Sequence, residues 1–265
     1  MNFQSSAYLT IDDSASQRMD DLTSYLFEKG IPAVFYCRGD RLEENPDAAI
    51  SAIQKGFVLG NHTYTHPRSS QIGIESFVDE IERCEDLIAD LYKRAGVAKQ
   101  HKLFRFPHVD RGTAGWIVDY DAYEGLDRAG VLAAFAQGLN VQSLDKPDEA
   151  MLAKRDLLQA YLKEAGYTQP FQNVTHHWFN QGEVAKTYDC LYTYSNCDWM
   201  LTARHQGKWP YKTVGDLKVR AREDQWLSEE GSVNVILAHD QAEIVDITIE
   251  LIEDLANSGM TFLEV

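Results

Sequence analysis

The sequence predicts a parallel α/β fold that closes into a barrel or barrel-like sheet. Two observations carry this reading. Short apolar runs alternate with amphipathic stretches along most of the chain, and repeated strand-then-helix units imply a parallel sheet with helices packed outside it. About seven such runs fall within 265 residues, a length that α/β barrels commonly fill as one domain.

The elements follow in order. AYLTI at 7–11 reads as the first buried strand. Residues 16–30 follow as a helix, with Met19, Leu22, Leu26 and Phe27 expected on one face and Gly30 as its C-terminal cap. IPAVFYC at 31–37 is the second strand. Residues 45–56 form a helix with Asn45 as N-cap, Pro46 at its first position and Gly56 as its stop. FVLG at 57–60 is a short third strand, and residues 74–96 make a long helix with Phe77, Ile81, Cys84, Leu87, Ile88 and Leu91 in register. KLFRF at 102–106 is a fourth strand. Beyond it come a helix near 150–165, a strand at 190–194, an amphipathic helix around 213–228, a strand over 233–240, a helix over 242–259 and a last strand over 260–265. The stretch 113–185 is the least regular. It reads as an elaborated connection within a single domain over 1–265, not as a second domain.

The composition is ordinary for a globular protein, 44% hydrophobic and 25% charged. The net charge of −16 argues against a nucleic acid partner, which would need clustered lysine and arginine. It also weighs against anionic membranes and acidic polymers, so a neutral or cationic substrate fits better. Cys37, Cys84, Cys190 and Cys197 form no C-x-x-C pair and read as buried thiols of a reducing compartment. The N-terminus shows no signal-like apolar segment and no window is apolar enough to span a membrane, so a cytoplasmic location is expected.

In parallel α/β folds, functional groups gather at the C-terminal ends of strands. Here the first strand ends in TIDDS, the third runs into GNHTYTHP, the fourth into FRFPH, and a late strand ends in ILAHD. Two imidazoles and one carboxylate are a standard ligand set for Zn²⁺, with positions left open for water and substrate. One carboxylate of Asp12-Asp13 could then bind metal and leave its neighbour free as a base. A histidine from another strand could protonate a leaving group. Taken alone, a D-D pair after an apolar run is usually a helix cap. H-x-x-x-H is not the zincin motif, because Thr63 stands where glutamate is needed. The succession of these groups after strand-like runs is what favours chemistry over capping.

TIDDS, HTYTH, RFPHV, CDW and LAH, in that order from residue 10 to 239, resemble the motif series of polysaccharide deacetylases of the NodB-homology type, carbohydrate esterase family 4. The resemblance implies a distorted (β/α) barrel of the polysaccharide deacetylase type with about seven parallel strands. It implies that Asp13, His62 and His66 hold one divalent metal ion, Zn²⁺ first, with Co²⁺ or Ni²⁺ as alternatives. Asp12 would be the general base that activates water, with Arg105 orienting it. His239 would be the general acid, held by Asp198. The backbone N–H of His108 would help stabilise the oxyanion, and Trp199 and Leu237 would pocket the acetyl methyl. The implied reaction is removal of acetyl from an N-acetylated carbohydrate or another small N-acyl compound.

Ser14 and Val109 depart from the glycines usual in the family, and His108 from its usual aromatic. The segment between Arg105 and Asp198 is also longer than the family pattern, and includes NVTHHWF with His176 and His177. These two histidines read as structural or surface residues, and Trp116, Tyr120 and Tyr123 as packing aromatics rather than sugar-stacking ones. The rival readings are a relative that opens a cyclic amide or ureide and a sugar-binding module with a dead site. A two-His-one-carboxylate iron oxygenase is disfavoured by the spacing.

Overall fold

The computed structural model describes residues 3–114, 146–176, 179 and 187–265. Trp116, Tyr120, Tyr123 and His177, and much of the 113–185 connection, lie outside the described residues.

Strand β1 (Ser6–Ser14) is central to a six-stranded sheet and is buried at every position after Ser6. On one side it pairs with β2 (Ala33–Cys37), which pairs with β3 (Val58–Asn61); on the other it pairs with β5 (Val233–His239), which pairs with β4 (Tyr194–Ser195). All these pairings are parallel. The short β6 (Thr261–Phe262) takes the edge of β1 at Ser6 and Ala7, and β2 takes over from Leu9.

Backbone hydrogen bonds continue the circuit past β3. Asn61 N–H donates to Leu103 O at 2.8 Å, Arg105 N–H to Asn61 O at 3.0 Å, and Cys190 N–H to Phe104 O at 2.7 Å. Thr193 N–H then reaches Val235 O at 2.8 Å beside the β4–β5 ladder. The sheet therefore curls into a distorted barrel whose irregular wall is made of residues 103–105 and 190–193.

The alternation of strand side chains divides the core in two. Leu9, Ile11, Phe35, Cys37, Ile236 and Ala238 pack outward against the helices, whereas Tyr8, Val34, Tyr36, Leu103, Val235 and Leu237 fill the barrel. Helices α1 (Met19–Lys29), α2 (Gly39–Glu44), α3 (Pro46–Gln54), α4 (Ile74–Ala95), α5 (Glu149–Glu164), α6 (Val214–Glu223), α7 (Gln225–Ser228) and α8 (Val245–Asn257) are the described α-helices, with short 3₁₀ turns at Ser69–Gln71, Pro107–Val109 and Asp198–Leu201. Among the described residues, no helix is long and apolar enough to cross a membrane.

Several expectations are corrected. Phe27 is 59% exposed, because it lies one position past the Met19–Leu22–Leu26 stripe that α1 buries. Asn45 makes no side-chain cap on α3; its amide donates instead to Ala15 O at 3.1 Å, tying α3 to the loop after β1. The expected strand at 102–106 is a single bridge, Asn61 to Phe104, and that at 190–194 narrows to Tyr194–Ser195. The physical reason is Arg105, whose guanidinium takes the carbonyls of Cys190 and Leu191 that a neighbouring strand would otherwise use. The last strand shrinks to Thr261–Phe262. The helix around 213–228 is two helices, divided where the Asp224 side chain caps Trp226 and Leu227. All four cysteines are buried thiols, as expected.

Candidate active site

The C-terminal ends of β1, β3 and β5 open into a cleft of about 640 Å³. Asp12, Asp13, His62, His66, His108, Trp199, Leu237 and His239 all line it. Arg105 and Asp198 lie behind them, 1% and 0% exposed.

Consecutive residues of a regular strand face opposite sides, so Asp12 and Asp13 need a special backbone to share one cleft. The register of β1 against β2 slips between Ile11 and Ser14, and Asp13 has φ 64°. This local bulge turns the second carboxylate inward beside the first.

The histidines are placed by a side-chain-braced turn. Asn61 Oδ1 accepts the Thr63 N–H at 2.9 Å, and the Thr63 hydroxyl accepts the His66 N–H at 3.1 Å. Thr63 and His66 both adopt positive φ, and the two imidazoles come to rest 4.8 Å apart between ring centroids. The Asn61 amide in turn donates to Ile81 O at 2.8 Å, anchoring the turn on α4.

Asp13, His62 and His66 each offer one ligand atom, all within 4.8 Å of one another. These residues fit a divalent ion. Asp13 Oδ1 is buried and accepts no hydrogen bond among the described residues, although it lies 3.4 Å from His66 Nε2. His62 Nδ1 is 2.8 Å from Arg105 O, which leaves Nε2 facing the site. Burial pushes the pKa of His62 down and that of His66 well down, against the pull of the nearby carboxylates. Burial alone would raise Asp13, but His66, His239 and His62 around it and the Gln241 amide hold it well below the usual carboxylate range.

Asp12 has different partners. Its Oδ1 accepts Arg105 Nη1 at 2.8 Å, and its Oδ2 lies 3.6 Å from His62 Nε2. Arg105 is over-determined: it donates to Thr10 Oγ1 and to Cys190 O, both at 2.8 Å, and its guanidinium carbon sits 4.3 Å from the Tyr36 ring centre. Across the β1–β5 ladder, Asp12 is in register with His239. Burial opposes charge on His239, but Asp198, and then Asp13 and Asp12, raise its pKa to about 9.

Trp199 packs edge-on against His205 and Trp209, with ring centres 5.0 and 5.1 Å away, and forms one wall of the cleft with Leu237. His108 has φ 56° and its ring lies 4.4 Å from that of His66. His176 is buried against Trp226 and does not line the cleft. Sequence reasoning missed Gln241, whose Nε2 donates to Asp13 Oδ2 at 2.6 Å, and Thr248, whose hydroxyl donates to Asp198 Oδ2 at 3.0 Å. Nothing in their local sequence marks them, since both bonds cross between distant segments.

Comparison with known proteins agrees with this architecture. Residues 3–115 match the polysaccharide deacetylase family. The chain is 30% identical over 95 residues to a chitooligosaccharide deacetylase of Rhizobium leguminosarum bv. trifolii, a match covering 36% of this chain and 43% of that one. It thus spans less than half the length of that curated relative. A family 4 carbohydrate esterase from Streptomyces lividans, solved in complex with acetate, superposes with a TM-score of 0.56 at 17% identity, covering 99% of this chain and 94% of that one. A family 4 pseudoenzyme from Bacillus anthracis superposes with a TM-score of 0.54 at 13% identity, over 97% and 63% of the two chains. Residues 3–115 thus match the polysaccharide deacetylase family, and the chain as a whole has the fold of the family 4 carbohydrate esterases.

Proposed function

We propose that this chain is a metal-dependent hydrolase that removes N-acetyl groups from an N-acetylated amino sugar within an oligo- or polysaccharide. One observation carries the reading. A three-ligand cluster shares its cleft with a carboxylate held by an arginine and an imidazole held by a second carboxylate. A fold shared with a pseudoenzyme carries no activity by itself, so the reading rests on these side chains.

A divalent ion, Zn²⁺ first and Co²⁺ or Ni²⁺ as alternatives, would be held by Asp13, His62 and His66, and when bound supplies polarisation of the amide carbonyl and acidification of water. Asp12, kept in place by Arg105, takes the proton of the attacking water. His239 is protonated near neutrality and gives its proton to the nitrogen, because an amine leaves poorly as an anion. Asp198 stabilises the resulting charge and fixes the ring. The His108 N–H faces the oxyanion, and Trp199 and Leu237 receive the methyl group. The cleft volume falls within the range that holds small ligands, which supports a substrate of sugar size. Strands from both ends of the chain share one sheet, which supports a single catalytic domain.

The test is acetate release from N-acetylglucosamine oligomers of increasing length, using metal-stripped protein and protein reloaded with Zn²⁺ or Co²⁺. Release that requires metal and disappears in Asp12→Asn and His239→Ala is the expected result. Stoichiometric metal without release would point to another carbon–nitrogen bond, as in a cyclic amide or small N-acyl compound. A protein that binds no metal would be a dead, sugar-binding relative or a hydrolase of a cyclic amide.

A further inference from the structure

We infer that Gln241 is a positioning residue for the metal site, selecting which oxygen of Asp13 is presented to the ion. The inference rests on the proposed metal site and concerns a residue outside the motif series.

The two oxygens of Asp13 are not equivalent. Oδ2 accepts the Gln241 amide N–H at 2.6 Å, a short bond of the charge-assisted kind. Oδ1 is buried, accepts no hydrogen bond among the described residues, and stands beside His66. With Oδ2 engaged, Oδ1 is the atom left to join His62 and His66. The side chain at 241 must therefore be a donor. A glutamate there would only accept, and would place a second negative charge against the ligand.

Gln241 is itself held. Its carbonyl accepts the Ile244 N–H at 2.9 Å in the turn that leads into α8, and it follows β5 by two residues. The same turn emerges from His239, while Asp240 N–H donates to Asp12 O at 2.8 Å. The segment 239–241 thus touches both aspartates of β1, and Asp13 is braced from the neighbouring strand rather than from its own. Asp13 needs such a brace because its backbone sits in the left-handed region, after the ladder has slipped, where no regular pairing orients the side chain.

The test measures metal affinity, not turnover. Metal-stripped wild type, Gln241→Leu, Gln241→Ala and Gln17→Leu are titrated with Zn²⁺ in competition with a chromophoric chelator, and the visible spectrum of each Co²⁺ form is recorded. Gln17 lines the same cleft without bonding to a ligand, so it controls for the loss of a cleft amide. Loss of an outer-shell partner weakens metal binding by about 10- to 100-fold, and that loss is expected in both Gln241 variants and not in Gln17→Leu. The Co²⁺ bands are expected to shift in the same two variants. Wild-type affinity with an unshifted Co²⁺ spectrum in the Gln241 variants would overturn the inference and leave the metal site standing. A wild type that binds neither ion would overturn both.

Discussion

His239 and Asp198 are joined twice: the imidazole Nδ1 lies 2.7 Å from Asp198 Oδ1, and the His239 backbone N–H donates to Oδ2 at 2.8 Å. The Trp199 N–H and the Thr248 hydroxyl also donate to this carboxylate, at 2.9 and 3.0 Å. Asp198 therefore cannot turn away from the ring, and the charge it offers outweighs the burial that would otherwise discharge His239.

The first prediction concerns the alkaline limb of activity. With His239 as acid, kcat/KM of the metal-loaded protein should fall as pH rises through about 9. In Asp198→Asn the charge is gone, and the limb should move toward the ordinary histidine value of about 6.5. Activity at neutral pH should drop on the order of 10²- to 10⁴-fold, the usual contribution of acid–base catalysis. A pH–rate profile in which the limb of the variant stays in place would remove His239 from the role of acid.

The same shift has a consequence for stability. The folded value of about 9 lies above the ordinary histidine value of about 6.5, so protonation favours the folded state. The contribution is fully present below the unfolded value and is lost as pH rises through the folded one. Thermal unfolding of the metal-free protein, compared with His239→Gln from pH 5.5 to 10, should show the wild-type advantage shrinking across that window. An advantage that grew with pH would contradict the assignment of the shift.

Arg105 should matter as much for folding as for chemistry. It is 1% exposed and paired to Asp12, which is 5% exposed. Arg105→Leu strands a buried carboxylate and should cost about 3–5 kcal/mol in urea denaturation. Asp12→Asn keeps an oxygen for Arg105 to donate to and should cost clearly less while abolishing turnover. Equal stability losses in the two variants would show that the pair is not the source of the penalty.

Gly60 is a packing constraint on the site. A Cβ there would lie 2.7 Å from two carbons of the Tyr36 ring and 3.3 Å from Leu103 Cβ, and that ring supports the Arg105 guanidinium. Gly60→Ala should destabilise by about 1–3 kcal/mol, as overpacked cores do. It should also lower activity by displacing Arg105. Combined with Tyr36→Leu, the stability loss should be less than the sum of the single losses, because the two changes share one contact. Strict additivity would place the strain elsewhere.

Much of the frame was legible beforehand because hydrophobic burial leaves a local periodic trace. The α4 stripe of Phe77, Ile81, Cys84, Ile88 and Leu91 is buried as its spacing indicated, and β1, β2, β3 and β5 lie where apolar runs stand. Phe27 was misplaced because position 27 borders the buried stripe, where one residue of rotation separates core from solvent. The apolar runs at 102–106 and 190–194 form only a bridge and a two-residue strand, because an apolar run records burial, not pairing. Their pairing is broken by a buried guanidinium that occupies backbone carbonyls.

The sequence by itself determined the parallel α/β class, the order of the strand ends and which polar groups stand on them, since these depend on residue type and spacing along one segment. Only the tertiary structure decided how Asp12 and Asp13 come to face one cleft, through a slipped register and a left-handed residue. It alone brought Gln241 to Asp13, Thr248 to Asp198 and Tyr36 beneath Arg105. Such contacts join residues far apart in the chain, and no local periodicity encodes them. They exist because polar groups buried at the mouth of the barrel must find partners wherever the packed fold supplies them.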